Sequence, residues 1–580
     1  MYLSELKLWN FRKYGHDGFD LANPDLTVPF NQGLNVLIGE NDSGKTAILD
    51  AIKLVLKTHA FEWIKVEKDD FYKSAEILRI ELKMEGFKPN EAKNFVEWLG
   101  LDGERDNVKP VLRLIYQVER KANHILPTDI KAGMDDTGNP LDAEAREYLK
   151  TTYLKALRDA DNDLIAKKNS RLSQIFQGHE LFKEQVGVTH EFVSLFKGVN
   201  TQIENWFTND DDSSNRRSNK KQIKDIIDSF LRAFINDSVS STLTLTPLEI
   251  KSILEKIALG IENGVNLGLG TMNRLYMAVE LLHLKRNWDG LKLCLIEELE
   301  AHLHPQAQMK IIEALQNIDD VQFILTTHSP NLASKVKLQN LLLCNRNEVF
   351  SLDSKNTKLK PEDYKYLERF LDVTKSNLFF AKGVIIVEGW TEEILIPAIA
   401  KHIGCDLTKN EVSIVNVGST AYLHFAKIFL QTDGKKIGTK VAIVTDLDNR
   451  PNETGDFNIE EKESRDEMIK KIEEVVKDSN VKLFKTKEWT LEWCLFKSSS
   501  LSNLFKEVVS EVHSKTIDFE DESKFGAKLT EKLKNRSLDK VAIANILSER
   551  IEKDNYLQFN SDEYITYLIN AIEYACDNNQ

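Results

Sequence analysis

Hydrophobic and polar positions near the start of the chain predict a strand, a glycine-bearing loop and a helix, in that order. LSELKLWNF alternates like a strand, and LNVLI at 34–38 has the uninterrupted apolar pattern of a buried strand. The helical pattern TAILDAIKLVL follows directly after the loop. Further strand-like runs lie at about 76–84 and 111–119. Strand, glycine loop and helix together form the context that a phosphate-binding loop requires.

The middle of the chain changes to a helical pattern from about 140 to 235, most clearly in AEAREYLKTTYLKALRDA and KQIKDIIDSFLRAFI. The polar run at 208–221 has the composition of a mobile loop. Its basic side chains can touch a phosphate backbone, but we favour a solvated linker. Sustained heptads are missing, so no long coiled-coil arm is predicted. The basic residues of the run are Arg216, Arg217, Lys220 and Lys221.

Two α/β series follow in the second half of the chain. The strand-like runs LKLCLI (291–296) and VQFILTT (321–327) bracket a helix that begins near His304. Over 383–445 the pattern is strand, helix, strand, helix, strand: GVIIV, EEILIPAIAKHI, VSIVNV, AYLHFAKIFL and VAIVT. The tail beyond 497 is mostly helical. Alternating strands and helices of these lengths indicate parallel sheets.

Composition narrows the class of protein. At about 150 residues per domain, 580 residues predict three to four domains. The five cysteines form no C-x-x-C pair, which argues against a disulfide framework and a zinc ribbon. No stretch approaches the roughly 18 apolar residues of a membrane span, so we expect a cytoplasmic protein without a membrane anchor. The formal charge of −14 restricts any nucleic-acid-binding surface to a local patch.

The loop GENDSGKT at 39–46 matches the phosphate-loop pattern in full. Its backbone N–H groups can surround phosphates, Lys45 can reach the terminal phosphates, and the Thr46 hydroxyl can hold Mg²⁺. The strand LKLCLI leads into Glu297, which would hold Mg²⁺, and Glu298, which would polarise the attacking water. The predicted nucleotide-binding residues are Gly39, Asn41, Gly44, Lys45, Thr46, Glu297 and His328, and the cofactor is ATP with Mg²⁺.

The order of GENDSGKT, LIEELEAHLHP and TTHSP resembles the ATPase heads of the ABC and SMC-like class. At the place of the ABC signature, Gly268, Gly270 and Thr271 open a helix, but the LSGG sequence is missing. The sequence therefore leaves open whether two heads enclose ATP between them.

Acidic residues also follow the strands of the second α/β series. Glu388 follows GVIIV and Glu392 lies in the next helical turn, where both can converge on one cation. Asp446 and Asp448 follow VAIVT and would point to one face of an extended segment. Such carboxylates suit Mg²⁺ or Mn²⁺. The arrangement resembles a Toprim domain.

An ABC-type head with a helical insertion and a Toprim domain resembles the OLD (overcoming lysogenization defect) family of ATP-dependent endonucleases. TLEW and DKVAIANILSERI resemble later elements of the family, which adds Glu492 as a metal ligand and Lys540 as a charge-stabilising lysine. The resemblance implies metal-dependent DNA cleavage, controlled by or coupled to ATP, in anti-phage defence. It also implies either action alone or a separate helicase-like or reverse-transcriptase partner. The expected catalytic residues are Glu388, Glu392, Asp446, Asp448, Glu492, Lys540 and Glu298, of which the first five are also the expected ligands of the nuclease metal.

The expected fold is α/β: an ABC-type ATPase head with a helical insertion, a Toprim α/β domain and a helical C-terminal part. A nucleotide-switched DNA-binding or repair scaffold is the alternative function, while nucleotidyl transfer and strand passage lack the additional modules they need. The amphipathic insertion is the expected self-association surface of a homodimer or larger homo-oligomer. The predicted domains are the head at 1–140 and 236–375, the insertion at 141–235, the Toprim domain at 376–500 and the C-terminal part at 501–580.

Overall fold

Residue contacts in the computed structural model divide the chain into two units. The first unit comprises Met1–Lys57, Ile64–Leu149 and Leu291–Gln580, and the second comprises Thr58–Trp63 and Lys150–Gly290. The domain boundaries given above stay predictions. The structure describes residues 1–60, 64–103, 108–121, 124–126, 128–156, 164–183, 187–208, 215–234, 240–241, 249–262, 268–285, 289–449, 459–513, 522–554, 556–559 and 562–577.

The first sheet of the first unit is antiparallel and contains the strands predicted at LSELKLWNF, about 76–84 and 111–119. Alternation in LSELKLWNF buries Leu6 and Leu8 in Tyr2–Trp9, as expected for a sheet with one covered face, and Leu3, before a shift in register at Leu3–Glu5, is also buried. Gly100–Asp102 and His124–Ile125 also pair with the strand Lys109–Lys121. The order of the main path is Leu26–Pro29, Tyr2–Trp9, Ile77–Glu85, Lys109–Lys121, Lys131–Ala132 and Asn139–Pro140.

The second sheet carries the phosphate loop. Its parallel strands are buried along their whole length or nearly so, which explains their uninterrupted apolar sequences. The carboxyl ends of the parallel strands share one edge, where ligand sites form. The strand order is Leu293–Ile296, Gln322–Thr326, Leu34–Ile38, Leu341–Asn345 and the antiparallel Glu348–Ser351. The helices of this region are Lys45–Leu56, Pro305–Gln316 and Pro330–Ala333.

The third sheet is parallel throughout and confirms the β-α-β-α-β pattern. Its strand order is Val412–Asn416, Gly383–Val387, Lys440–Thr445 and Val481–Lys485. The helix Trp390–His402 shares one hydrophobic core with the helices from Leu491 onward. AYLHFAKIFL forms only a short helix followed by a 3₁₀ turn, Lys427–Phe429. The helices are Trp390–His402, Tyr422–Ala426, Ile459–Val476, Leu491–Lys497, Ser502–Val512, Glu522–Lys534, Lys540–Lys553 and Thr566–Cys576.

Two sequence predictions in the middle of the chain are wrong in part. The helix predicted over AEAREYLKTTYLKALRDA ends at Leu149, because Thr151 and Thr152 favour extended backbone, and a strand follows. The loop predicted at 208–221 is helical from Asn215, since no glycine or proline interrupts the helical pattern there. Residues 209–214 of that loop lie outside the described residues.

The second unit is mainly helical in its described part. It contains the strand Thr152–Leu154 and the helices Arg171–Gln177, Glu191–Thr208, Asn215–Phe234, Ile250–Leu254 and Leu269–Leu284. The first unit also contains the helices Pro89–Ala92, Ala143–Leu149 and Pro361–Phe370. Among the helices that the structure describes, none combines the length and apolar composition that a membrane crossing requires.

Candidate nucleotide site and carboxylate cluster

The phosphate loop needs glycine at two positions. Gly39 and Gly44 have backbone φ angles of 138° and 97°, which residues that carry a Cβ rarely adopt. A Cβ on Gly39 would lie 2.2 Å from the carbonyl oxygen of Cys344, and one on Gly44 would lie 2.1 Å from the Tyr14 hydroxyl. The helix Lys45–Leu56 begins immediately after this turn. The loop is therefore shaped to point its backbone N–H groups and the positive helix end at an anion.

The Lys45 side chain is buried and folds back onto its own loop. Its ammonium donates to the carbonyl oxygens of Gly39 (2.9 Å) and Glu40 (2.6 Å) and to Ser43 Oγ (3.1 Å). Burial lowers the pKa of Lys45. A phosphate group offers the same ammonium a charged acceptor in place of these neutral ones. The two other side chains predicted to bind nucleotide in this segment are exposed: Asn41 and Thr46.

Three acidic or histidine side chains share the electrostatic environment of Lys45. Burial and Lys45 lower the pKa of His328, while Glu300 and Glu298 oppose them. Glu300 Oε1 accepts the His328 backbone N–H at 2.5 Å, and its Oε2 is buried without a partner among the described residues. Glu298 is exposed at a positive φ of 43°, and its backbone N–H donates to Thr326 Oγ1 at 3.1 Å. Lys45, Glu298 and His328 thus lie close enough to influence one another electrostatically.

Glu300 is a residue that the sequence reasoning missed. The only sequence signal for Glu300 is that it is the third acidic residue of EELE, two positions after Glu298. Glu297 is half-buried directly after Leu293–Ile296. The glycines at the place of the ABC signature lie in the second unit, where Gly268 immediately precedes the helix Leu269–Leu284.

A second group of ionisable side chains gathers at the carboxyl edge of the third sheet. Glu388 follows Gly383–Val387 and Asp446 follows Lys440–Thr445, so parallel pairing brings the two positions together. Glu392 lies in the first turn of one helix and Glu492 in the first turn of another. Asp446 Oδ1 accepts the backbone N–H of Leu491 at 3.0 Å, which fixes the neighbouring helix to this edge. Lys540, the first residue of its helix, completes the cluster.

These carboxylates repel one another in a buried setting. Burial, then Glu492 and Glu388, raise the pKa of Glu392 to about 7, while Lys540 acts in the opposite direction. Burial and the neighbouring glutamates also hold the pKa of Asp446 well above its usual value. Lys540 Nζ lies 2.9 Å from Glu492 Oε1 and 3.0 Å from Oε2. The cluster therefore contains more carboxyl groups than its lysine can hold ionised, and Glu392 and Asp446 tend to keep their protons.

Asp448 differs from the prediction. It has a positive φ of 52°, so Asp446 and Asp448 do not lie on one face of an extended segment. Asp448 instead pairs with Arg465 Nη2 at 3.1 Å. Glu388 accepts a hydrogen bond from Thr445 Oγ1, and burial, with a contribution from Asp448, raises its pKa. The chain turns at Asp448 because its backbone N–H donates to the carbonyl oxygen of Trp489 at 2.8 Å.

The donor set fits a hard divalent cation by its chemistry. Among the described residues, no three His, Cys, Asp or Glu side chains are already grouped closely enough to hold a metal ion. The mutual repulsion of Glu388, Glu392, Asp446 and Glu492 nevertheless leaves a deficit of positive charge at a site built from oxygen donors. A divalent cation would supply that charge and draw the carboxylates inward.

Comparison with known proteins identifies both kinds of domain. Residues 1–259 and 264–333 match the family described as AAA ATPase domain, which is more than half of the 580 residues. The chain belongs to the AAA ATPase domain family. In this AAA ATPase, residues 379–448 also match the description "Overcoming lysogenization defect protein-like, TOPRIM domain". The predicted pairing of an ATPase head with an OLD-type Toprim domain is therefore confirmed.

The AAA ATPase is similar to several bacterial proteins. It is 23% identical to "Endonuclease GajA" of Bacillus cereus (strain VD045), over 73% of this chain and 72% of the relative. It is 20% identical to "Retron Vc95 probable ATPase" of Vibrio cholerae serotype O1 biovar El Tor, over 59% and 73%. Among solved structures, the C-terminal region of the Xanthomonas campestris pv. campestris OLD protein is 23% identical, covering 35% of this chain and 95% of that chain at a TM-score of 0.24.

Proposed function

We propose that the protein is a metal-dependent DNA endonuclease whose cleavage is controlled by or coupled to ATP binding and hydrolysis, and that it acts in anti-phage defence. The observation that carries this proposal is the buried cluster of carboxyl groups with Lys540 beside it, in the same unit as a complete phosphate loop. The relative named "Endonuclease GajA" is similar to this chain over 73% of its length, which supports the assignment of DNA cleavage.

At the carboxylate cluster, the metal ligands would be Glu388, Glu392, Asp446 and Glu492. Asp448, which acts electrostatically on Glu388, would be a further ligand. Bound Mg²⁺ or Mn²⁺ would supply a Lewis acid and lower the pKa of bound water. The chain itself orients the ligands: the Leu491 backbone N–H holds Asp446, and Thr445 Oγ1 holds Glu388. The Lys540 ammonium stands beside Glu492, where it would stabilise charge that develops on the phosphate.

At the phosphate loop, Lys45 would leave its three neutral acceptors and neutralise the terminal phosphates. Thr46 and Glu297 would hold the Mg²⁺ that accompanies ATP, and Glu298 would orient the attacking water. Glu300 fixes the backbone of His328, which would contact the γ-phosphate, and burial and Lys45 lower the pKa of the His328 ring before nucleotide binds.

The proposal includes self-association and a separate partner protein. A homodimer or larger homo-oligomer would form through the helical insertion, and a helicase-like or reverse-transcriptase partner would be a separate protein. Relatives named as a retron probable ATPase and as Septu protein PtuA, of Bacillus thuringiensis, support a setting with partner proteins.

The test is incubation of purified protein with supercoiled plasmid and with linear DNA, with Mg²⁺ or Mn²⁺, with and without ATP. Asp446→Ala should eliminate cleavage and keep ATP binding, because it removes a ligand far along the chain from the phosphate loop. Glu563→Ala is the matched control, since its carboxylate is exposed and pairs with exposed Lys487. Cleavage that persists in EDTA or in Asp446→Ala would exclude the nuclease assignment. DNA binding without cleavage under every condition would favour the nucleotide-switched scaffold.

A further inference from the structure

A cavity of about 250 Å³ lies beside the phosphate loop and is lined by both the ATPase head and the Toprim region. The head contributes Glu40 and Asp42 of the phosphate loop, together with Arg346. The Toprim region contributes Lys382 and Thr439. The phosphate loop therefore has Toprim side chains within its immediate surroundings.

Cationic side chains line part of this cavity, among them Arg346 and Lys382. The Arg346 guanidinium is exposed and makes no hydrogen bond or ion pair to any residue that the structure describes. Lys382 pairs with the exposed Glu411, at 3.0 Å. Burial raises the pKa of Glu40, and Lys382 and Arg346 oppose that rise, which places both cations near the phosphate loop. Two exposed cations beside an anion-binding loop form a site for an anionic ligand.

The head and the Toprim region are packed tightly at the floor of the cavity. Asn345 Nδ2 donates to Thr439 Oγ1 at 3.0 Å, and the Gly438 backbone N–H donates to Asn345 Oδ1 at 3.0 Å. A Cβ on Gly438 would lie 2.5 Å from Asn345 Oδ1 and 2.7 Å from Arg346 Nε. Cys344, which precedes Asn345, is in turn the close neighbour of Gly39 in the phosphate loop. The phosphate loop is therefore connected to the Toprim residues 438–439 through close contacts at Cys344 and Asn345.

We propose that this cavity is part of the nucleotide site and that Lys382 and Arg346 bind the nucleoside triphosphate held at the phosphate loop. The inference rests on the proposed function, because it assigns a Toprim residue to the ATP site. ATP bound at the loop presents several negative charges, and Lys45 at the start of the helix meets only their terminal end. Lys382 and Arg346 supply charge beside the Glu40–Ser43 part of the loop.

This contact would link bound nucleotide to the carboxylate cluster through single strands of the third sheet. Lys382 directly precedes Gly383–Val387, which leads into Glu388. Thr439 directly precedes Lys440–Thr445, which leads into Asp446. At about 3.3 Å per residue, each strand spans roughly 16–20 Å. Both strands that carry metal ligands thus start at the cavity, and a buried parallel pair transmits a displacement as a unit.

The experiment measures the affinity of the full chain for a non-hydrolysable ATP analogue by calorimetry. Lys382→Ala and Arg346→Ala should each weaken binding by at least tenfold, and Lys382→Arg should stay within threefold of the unaltered protein. Both side chains are exposed, so neither truncation removes a core contact. Lys409→Ala is the matched control, because Lys409 is a Toprim lysine that is 83% exposed and pairs with Asp406. Backbone amides of 438–445 should also exchange more slowly when the analogue is added.

The outcomes separate this inference from the proposed function. Failure of the unaltered protein to bind the analogue, or full binding by Lys45→Ala, would overturn the ATP-site assignment and this inference with it. Loss of binding in Lys45→Ala together with binding within twofold in both Lys382→Ala and Arg346→Ala would overturn this inference alone. It would also be overturned alone if both variants lost affinity for inorganic phosphate or for DNA while their affinity for the analogue stayed unchanged.

Discussion

Replacement of Lys540 tests whether the late helix belongs to the carboxylate cluster. Lys540→Met removes the ammonium but keeps most of the apolar stem. The Glu492 side chain is 2% exposed, and both of its oxygens lie within 3.0 Å of Lys540 Nζ. Burial alone would lower the pKa of Lys540, but Glu492, Asp446 and Glu392 raise it, so the ammonium is charged at neutral pH. The substitution therefore leaves a buried carboxylate without its partner.

The expected magnitudes follow from the burial of each partner. Loss of one member of a fully buried ion pair costs about 3–5 kcal/mol, and exposed pairs contribute about 0–1 kcal/mol. The Lys540 side chain is 44% exposed, so solvent screens part of the interaction. We expect a loss of about 2 kcal/mol in metal-free protein. We also expect DNA cleavage to fall by about 10²-fold or more, the usual effect of removing a preorganised electrostatic group.

Single-turnover cleavage of plasmid and thermal unfolding with and without Mg²⁺ measure the two effects. Lys540→Arg should keep most of the activity, because it retains the charge. Lys487→Met is the matched control, since Lys487 pairs with exposed Glu563 in the same region and should change neither quantity. Added Mg²⁺ should reduce the difference in melting temperature, because a cation replaces the missing positive charge. Cleavage by Lys540→Met within threefold of the unaltered protein would show that Lys540 is only a surface residue.

Two further predictions concern the ATPase head and the contact between a head-side helix and the Toprim region. Lys45→Ala should abolish ATP binding and Glu298→Gln should bind ATP but hydrolyse it slowly, because one residue neutralises phosphate charge and the other orients water; full turnover in both would contradict the assignment. Asp363 is fully buried and accepts from the Lys360 backbone N–H, Lys427 and His424, which outweigh burial and lower its pKa. A lowered pKa in the folded state stabilises the protein above the unfolded-state pKa, and this contribution is lost as pH falls. Asp363→Asn should therefore lower the melting temperature at pH 7, with a difference that shrinks below about pH 4; an equal difference at both pH values would contradict this reasoning.

Short-range patterns predict the strands and the phosphate loop because their causes are local. Strand burial appears directly in LNVLI and GVIIV, whose residues are all buried in the fold. The positions of Gly39 and Gly44 follow from a backbone shape that few other residues adopt. The order of parallel strands then places Glu388 and Asp446 at one edge without any further information.

Contacts that join distant segments could not be read from such patterns. The pairing of Glu492 with Lys540 spans 48 positions, and only the family resemblance indicated it. The role of Glu300 depends on a backbone N–H that arrives from another strand. The expectation that Asp446 and Asp448 lie on one face of an extended segment is wrong, because Asp448 has a positive φ and its backbone N–H bonds to Trp489, far along the chain.

The two sites differ in how well they are satisfied without their ligands, and this difference determines what each ligand must do. Lys45 already has three acceptors, so ATP gains only the difference between charged and neutral hydrogen bonds when it displaces them. Burial and mutual repulsion raise the pKa of Glu392 and Asp446 despite Lys540, so a divalent cation would displace protons from carboxyl groups that repel one another when ionised. A ligand that relieves repulsion also changes the positions of the strands and helices that carry the carboxylates. Metal binding should therefore reshape the Toprim edge, while nucleotide acts on an already ordered loop, and the strands that begin after Lys382 and Thr439 are the elements that both ligands can bias.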